Sequence, residues 1–167
     1  MKSRTADTFD EQATTFLNVD LDIFSRSPLE PLVAALGNKI EVHYVGREGS
    51  HYSAHLERGF PRNADEGIRA LAALVRRLPA PARRLWKNAR TKDFNIGIQG
   101  GIEPRYCEFP LNPDTLRAVV KLGARVVITV YGARPESRQS REGNIGARTS
   151  KRRASVTKQK SNNRRIG

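Results

Sequence analysis

The regular spacing of apolar residues ends at Ala133, so a packed domain can extend only to about this residue. Beyond it the sequence is rich in Ser, Asn, Gln, Arg and Lys. Its few large aliphatic residues cannot bury enough surface to offset the entropy lost on ordering. We therefore predict a flexible leader over residues 1–13, a single α+β domain over residues 14–133 and a disordered basic tail over residues 134–167.

The first element of the predicted domain is a strand over Phe16–Phe24. Apolar and polar side chains alternate there, and a period of two with one apolar face is typical of a half-buried strand. A helix is predicted next, with Ser27 as its cap, Pro28 at its first position and Gly37 after its last residue.

Residues 40–57 have the pattern of a β-hairpin. A loop over residues 47–49 gives a register in which Tyr44 lies opposite Tyr52 on the apolar face. In that register Val45 lies on the opposite face, among the histidines.

The second half of the domain is predicted to contain three helices and three strands. They are helices that begin after Asn63 and Asn112, a short helix over residues 82–89, and strands over residues 94–99, 105–109 and 125–131. Leu116 and Val120 are expected to face inward, and the last strand, apolar on both faces, is expected to be buried. The principal elements follow the order β-α-β-β-α-β-β-α-β, which indicates a mixed, mainly antiparallel sheet with helices packed chiefly on one face.

The third principal helix and the last strand, with their lead-in, carry a resemblance. Phe109–Tyr131 resembles the closing segment of the bacterial domain-of-unknown-function family 4279. The matching positions are Leu111, Pro113, Leu116, Leu122, Gly123, Ala124 and Tyr131. The resemblance implies a small bacterial α+β domain without a known reaction, of a kind that looks like immunity or interaction proteins.

Composition limits the cellular compartment that we expect and the kinds of site that the chain can form. Cys107 is the single cysteine, so an intramolecular disulfide and a CxxC zinc site are both excluded. No apolar run approaches the roughly 20 residues that span a bilayer. The polar N-terminus lacks the apolar core of a signal peptide, and we expect a cytoplasmic protein.

A set of polar side chains is predicted to share one face of the sheet if the first strand neighbours the hairpin. The set is Asn18, Asp20, Asp22, His43, His51, His55 and Gln99. His51 and His55 are roughly 13 Å apart along one strand, whereas zinc ligands lie about 2.0–2.1 Å from the ion. We therefore predict no metal site, no cofactor and no catalytic residues, and we interpret the set as a face for a partner protein.

Basic residues form the second functional signal. The net charge of +13 is concentrated in residues 134–167, which hold 11 Lys/Arg and 2 Asp/Glu, leaving +4 for the rest. The candidate polyanion-binding residues are Arg83, Arg84, Lys87, Arg90, Arg148, Lys151, Arg152, Arg153, Lys158, Lys160, Arg164 and Arg165. The first interpretation is a non-enzymatic, protein-binding and possibly immunity-type factor. The alternative is a nucleic-acid-associated protein whose tail binds phosphate backbones weakly and without sequence specificity.

Overall fold

A computed structural model describes residues 13–104 and 106–132, which form five strands and four helices. The strands are β1 (Thr15–Ser25), β2 (Glu41–Glu48), β3 (His51–Glu57), β4 (Thr91–Gln99) and β5 (Arg125–Tyr131). The helices are α1 (Glu30–Leu36), α2 (Ala64–Arg76), α3 (Ala80–Asn88) and α4 (Pro113–Lys121). Residues 1–12 of the predicted leader and the whole predicted tail lie outside the described residues.

One sheet with the strand order β2-β3-β1-β4-β5 contains all five strands. β1 lies at its centre and is antiparallel to both β3 and β4, and β2 is antiparallel to β3. β4 and β5 are parallel, and α4 lies on the connection that parallel neighbours need. The prediction of a mixed, mainly antiparallel sheet is confirmed.

The helices lie on one face of this sheet. The inward-facing strand residues of the core are Val19, Leu21, Ile23, Ala54, Leu56, Phe94, Ile96 and Ile98. Buried residues of all four helices, including Leu32, Ile68, Trp86 and Val119, belong to the same cluster. Full burial of each large apolar side chain contributes roughly 1.5–3 kcal/mol. The α+β prediction is confirmed, and the second face of the sheet is left free of these four helices.

Polar contacts cap α2 and join it to α4. Asn63 caps α2 as predicted, because its side chain accepts a hydrogen bond from the Glu66 N–H at 2.9 Å. Asn112 precedes α4 but does not cap it with its side chain. Its backbone N–H and side-chain amide instead donate to the two carboxylate oxygens of Asp65, at 2.8 and 2.9 Å. Asn112 therefore joins α4 to α2.

The predicted start of the first helix is wrong. α1 begins at Glu30, and its N-cap position is Leu29, which is fully buried. Ser27 does not cap this helix, since its backbone N–H donates to the Ser25 hydroxyl at 3.0 Å in the turn after β1. The first helical hydrogen bonds run from the N–H groups of Leu32 and Val33 to the Leu29 carbonyl, so Leu29 takes the cap position.

The predicted register of the hairpin is also wrong. Glu48 pairs with His51, so the turn consists of two residues, with Gly49 at a φ of 58°. A bulge at His43 then shifts the strand by one residue. Tyr44 consequently lies opposite His55, and Val45 packs against the core.

Two further predictions fail near the end of the domain. Residues 106–109 form no strand, in a segment where Pro104 and Pro110 lack backbone donors, and the observed order is β-α-β-β-α-α-β-α-β. Cys107, expected in that strand, is exposed in a loop, where its thiol donates to the Thr14 carbonyl at 3.5 Å.

The last strand is an edge strand rather than a buried one. Within the described residues β5 has β4 as its only neighbour, and Ile128 and Val130 are each 62% exposed. Leu116 and Val120 of α4, expected inside, are exposed as well. No helix among the described residues is long and apolar enough to cross a membrane.

Candidate functional site

The sheet face opposite the helices carries most of the polar side chains that the sequence singled out. We call it the open face. We define it by Asn18, Asp20, Asp22 and Phe24 of β1, His43 and Tyr44 of β2, His51, His55 and Glu57 of β3, Asp93 and Asn95 of β4, and Arg125 and Thr129 of β5. The alternation of β1 places its polar residues here because its apolar residues face the core.

Asp22 lies at the centre of a hydrogen-bond network that crosses the sheet. Its Oδ1 is 2.8 Å from the Nδ1 of His55 on one neighbouring strand. Its Oδ2 accepts a hydrogen bond at 3.2 Å from the side-chain amide of Asn95 on the other. The Asn95 oxygen in turn accepts one from the Thr129 hydroxyl at 2.8 Å. Four strands are thereby linked through side chains, and both Asp22 oxygens are engaged.

Asp20, two residues earlier on the same face, has fewer partners. Its Oδ1 accepts one hydrogen bond at 3.1 Å, from the amide of Asn18. Burial, and after it the neighbouring negative charges of Asp22 and Glu57, raise the pKa of Asp20 from its ordinary 3.8 to about 6. His43 and the Asn18 hydrogen bond oppose the rise without cancelling it. Negative charge is therefore under-compensated around Asp20.

The bulge in β2 places His43 beside this carboxylate. Its Nε2 is 3.1 Å from the Oε2 of Glu57, and its Nδ1 is 4.0 Å from an oxygen of Glu41. One ligand-type atom each from Asp20, His43 and Glu57 lies within 4.8 Å of the other two. Imidazole nitrogen and carboxylate oxygen are both metal ligands, so this trio has the chemistry of a divalent-cation site.

Aromatic rings cover the part of the open face next to Asp22. The Phe24 ring lies 5.8 Å from the rings of both His51 and His55, between centroids. The Tyr44 ring lies 6.0 Å from that of His55. A surface that combines exposed aromatic rings with carboxylates is suited to contact another macromolecule.

The structure brings together most of the predicted polar set. His43, His51 and His55 each lie beside a different carboxylate, and the distance between His51 Nε2 and Glu48 is 3.7 Å. Gln99 stands apart, because its amide donates to the carbonyls of Gly100, Tyr131 and Gly132 at the end of β4.

Sequence reasoning missed seven members of the open face, which are Phe24, Tyr44, Glu57, Asp93, Asn95, Arg125 and Thr129. Three of them show which signals the sequence carried. Asn95 alternates with the apolar residues of β4, so this pattern was a usable signal. Glu57 becomes a neighbour of Asp20 only through strand order, which the sequence left open. Tyr44 reaches this face through the bulge, for which the sequence carries no clear signal.

A cleft of about 600 Å³ adjoins the open face at the end of β1. It is lined by Phe24, Ser25, Arg26, Ser50, His51, Arg90 and Thr91. Its two arginines have no carboxylate within 4 Å among the described residues.

The basic residues near α3 are exposed as expected. Arg83, Arg84, Lys87 and Arg90 all face solvent, and none forms an ion pair within the part of the chain that the structure describes. Their counterparts from Arg148 to Arg165 lie outside the described residues.

The chain was compared with protein-family models, with curated proteins and with solved structures, and none of the three comparisons found a match. The resemblance to family 4279 stays a prediction.

Proposed function

We propose that this domain binds another protein through the open face, and that the partner presents lysine and arginine side chains to it. One observation carries the proposal: an acidic and aromatic sheet face is not covered by any of the four helices. An immunity-type role is the specific form of this proposal that the resemblance to family 4279 suggests.

Charge supports the choice of a basic partner. Asp20, Asp22 and Glu57 lie side by side on the open face, while the chain as a whole carries +13. The nearby Asp93 is already neutralised by Arg125, which donates to both of its oxygens at 2.7 Å. Complementary charge raises the association rate and disfavours wrong partners. A lysine or arginine placed beside Asp20 would relieve the repulsion there.

The aromatic rings supply the other ingredient of a binding surface. Phe24 and Tyr44 flank the Asp22 network, and Tyr44 is 37% exposed. Partly exposed aromatic rings next to fixed polar groups provide contact area at a low cost in conformational entropy. The network from His55 to Thr129 holds these polar groups in place before any partner binds.

The test begins with capture of a partner by the intact chain and measurement of its dissociation constant with purified proteins. We expect Asp20→Lys to weaken binding by about tenfold or more, since a close charge pair across an interface contributes about 1.5 kcal/mol or more, and 1.4 kcal/mol corresponds to about tenfold in affinity. Glu30→Lys is the matched control, because it makes the same charge change at an exposed residue of α1, away from the open face. Equal affinities for Asp20→Lys and the wild type would refute the proposal.

A second function is favoured by the basic residues of α3. Arg83, Arg84 and Lys87 are exposed and have no acidic partners among the described residues, as a phosphate-binding surface requires, although Arg83 also donates to the Leu78 carbonyl at 2.8 Å. We propose weak nucleic-acid binding as the alternative, with the tail contributing most of the charge. Its test compares DNA and RNA binding of the full chain with a chain ending at Ala133, at several salt concentrations. An unchanged affinity and salt slope in the shorter chain would exclude the tail.

A further inference from the structure

We propose that Asp20, His43 and Glu57 form a binding site for a zinc-like divalent transition-metal ion. The proposal concerns a small ligand and does not rest on the binding of a partner protein. It rests on the convergence of three side chains from three adjacent strands, on the chemistry of their donor atoms and on the groups next to them.

The backbone brings the trio together at one point of the open face. Asp20 of β1 and Glu57 of β3 are directly paired across the sheet. His43 comes from β2 on the far side of Glu57, and the bulge at this position interrupts the regular register. Its side chain is 45% exposed, while that of Glu57 is 15% exposed. The site is therefore recessed at the carboxylates and open at the imidazole.

The distances suit a small cation. Ligands about 2.0 Å from a tetrahedral ion lie roughly 3.3 Å from one another. His43 Nε2 and Glu57 Oε2 are already 3.1 Å apart, and all three donor atoms lie within 4.8 Å of each other. Three protein ligands leave a fourth position that water or another ligand can occupy.

The donor set selects the class of ion. One imidazole nitrogen with two carboxylate oxygens suits zinc and neighbouring transition-metal ions, whereas calcium and magnesium prefer sites made of oxygen alone. Copper(I) prefers sulfur ligands, and the trio contains none.

Further groups lie next to the ligands. The amide of Asn18 donates a hydrogen bond to Asp20. Glu41 lies 4.0 Å from the second ring nitrogen of His43, which is beyond hydrogen-bond distance. A bound cation would also offset the negative charges of Asp20, Asp22 and Glu57, which lie side by side on the open face.

The experiment titrates the metal-free full chain with Zn²⁺ by calorimetry and with Co²⁺ by visible absorption. We expect saturable binding of a single ion per chain. His43→Ala and Glu57→Gln should each lower the affinity at least about tenfold. His51→Ala is the matched control, since His51 lies on the same hairpin, is 44% exposed and also has a carboxylate neighbour. It should leave the affinity unchanged.

A measurement on the wild type guards against variants that fail to fold. The chain contains three histidines, so their imidazole resonances can be assigned and followed as Zn²⁺ is added. We expect the His43 resonances to shift while those of His51 do not. Absence of saturable binding, equal losses in His43→Ala and His51→Ala, or shifts centred on His51 would overturn the proposal.

Discussion

Asp20 and Asp22 lie on the same strand and the same face, yet their surroundings differ. Both oxygens of Asp22 have partners, from His55 on one side and Asn95 on the other. Among the described residues, Asp20 accepts a single side-chain hydrogen bond, has Glu57 as its cross-strand neighbour and has its pKa raised to about 6. The strand therefore carries one carboxylate that stabilises the sheet and one that is poorly compensated.

The unequal hydrogen bonding of Asp20 and Asp22 indicates which half of the open face is available to a ligand. A carboxylate whose hydrogen bonds are satisfied gains little from a new cation, because binding would compete with existing partners. A carboxylate held among like charges gains more, whether the cation belongs to a partner protein or is a metal ion. Both proposals consequently centre on Asp20, while Asp22 supports the surface.

Removal of Asp22 should have the largest effect. Asp22→Ala deprives His55 and Asn95 of their acceptor, and we expect the free energy of unfolding to fall by about 2 kcal/mol. Urea denaturation at neutral pH measures it. Asp22→Asn, which keeps one acceptor oxygen, should lose less. If Asp22→Ala left the free energy of unfolding unchanged, the network would contribute nothing to stability.

Asp20→Asn should change stability in the opposite direction. Asp20 binds its proton more tightly in the folded state, so its ionisation lowers the free energy of unfolding as pH rises from its ordinary pKa of 3.8 to about 6. The full shift corresponds to about 3 kcal/mol, which solvent screening of this partly exposed group reduces to about 1 kcal/mol.

The comparison is made by denaturation of the metal-free protein at two pH values. The variant should be more stable than the wild type at about pH 8, and the difference should nearly vanish at about pH 3, where Asp20 is mostly protonated in both the folded and the unfolded state. A variant that is less stable at the higher pH would contradict the charge crowding inferred around Asp20.

Glu57→Gln should lower the pKa of Asp20 by removing one neighbouring negative charge. The pKa should stay above its ordinary value, because burial is the largest cause of the shift and the charge of Asp22 persists. Carboxyl carbon NMR across a pH titration measures the change. If the Asp20 pKa did not move, the two carboxylates would be less closely coupled than their cross-strand pairing indicates.

His51→Ala should have the smallest effect. The distance from its Nε2 to Glu48 is 3.7 Å, and both side chains are 44% exposed. Exposed ion pairs of this kind contribute less than about 1 kcal/mol. Thermal unfolding should place the variant close to the wild type. A loss comparable to that of Asp22→Ala would show that the ring contact with Phe24 stabilises the hairpin end.

Local pattern predicted much of this fold. The alternation in β1 located the central strand and the polar residues of the open face, and the Asn63 cap located α2. The register of the hairpin was beyond such reasoning, because a bulge at His43 breaks the period of two on which the prediction depends.

The wrong prediction that β5 is a buried strand has a different cause. Its apolar residues on both faces are typical of a buried strand, but burial also requires neighbours on both edges, which composition does not reveal. Likewise Glu57 lies far from Asp20 in sequence, and only strand order makes them neighbours. The sequence therefore indicated the polar face but not the trio within it.

Binding through the open face is tested by NMR mapping of the complex with a captured basic partner. We expect the side-chain and backbone resonances of Asp20, His43 and Tyr44 to shift on binding, while those of Arg83 and Arg84 on α3 stay in place. Shifts centred on α3, with the open face unperturbed, would contradict the claim that this domain recognises its partner through the open face.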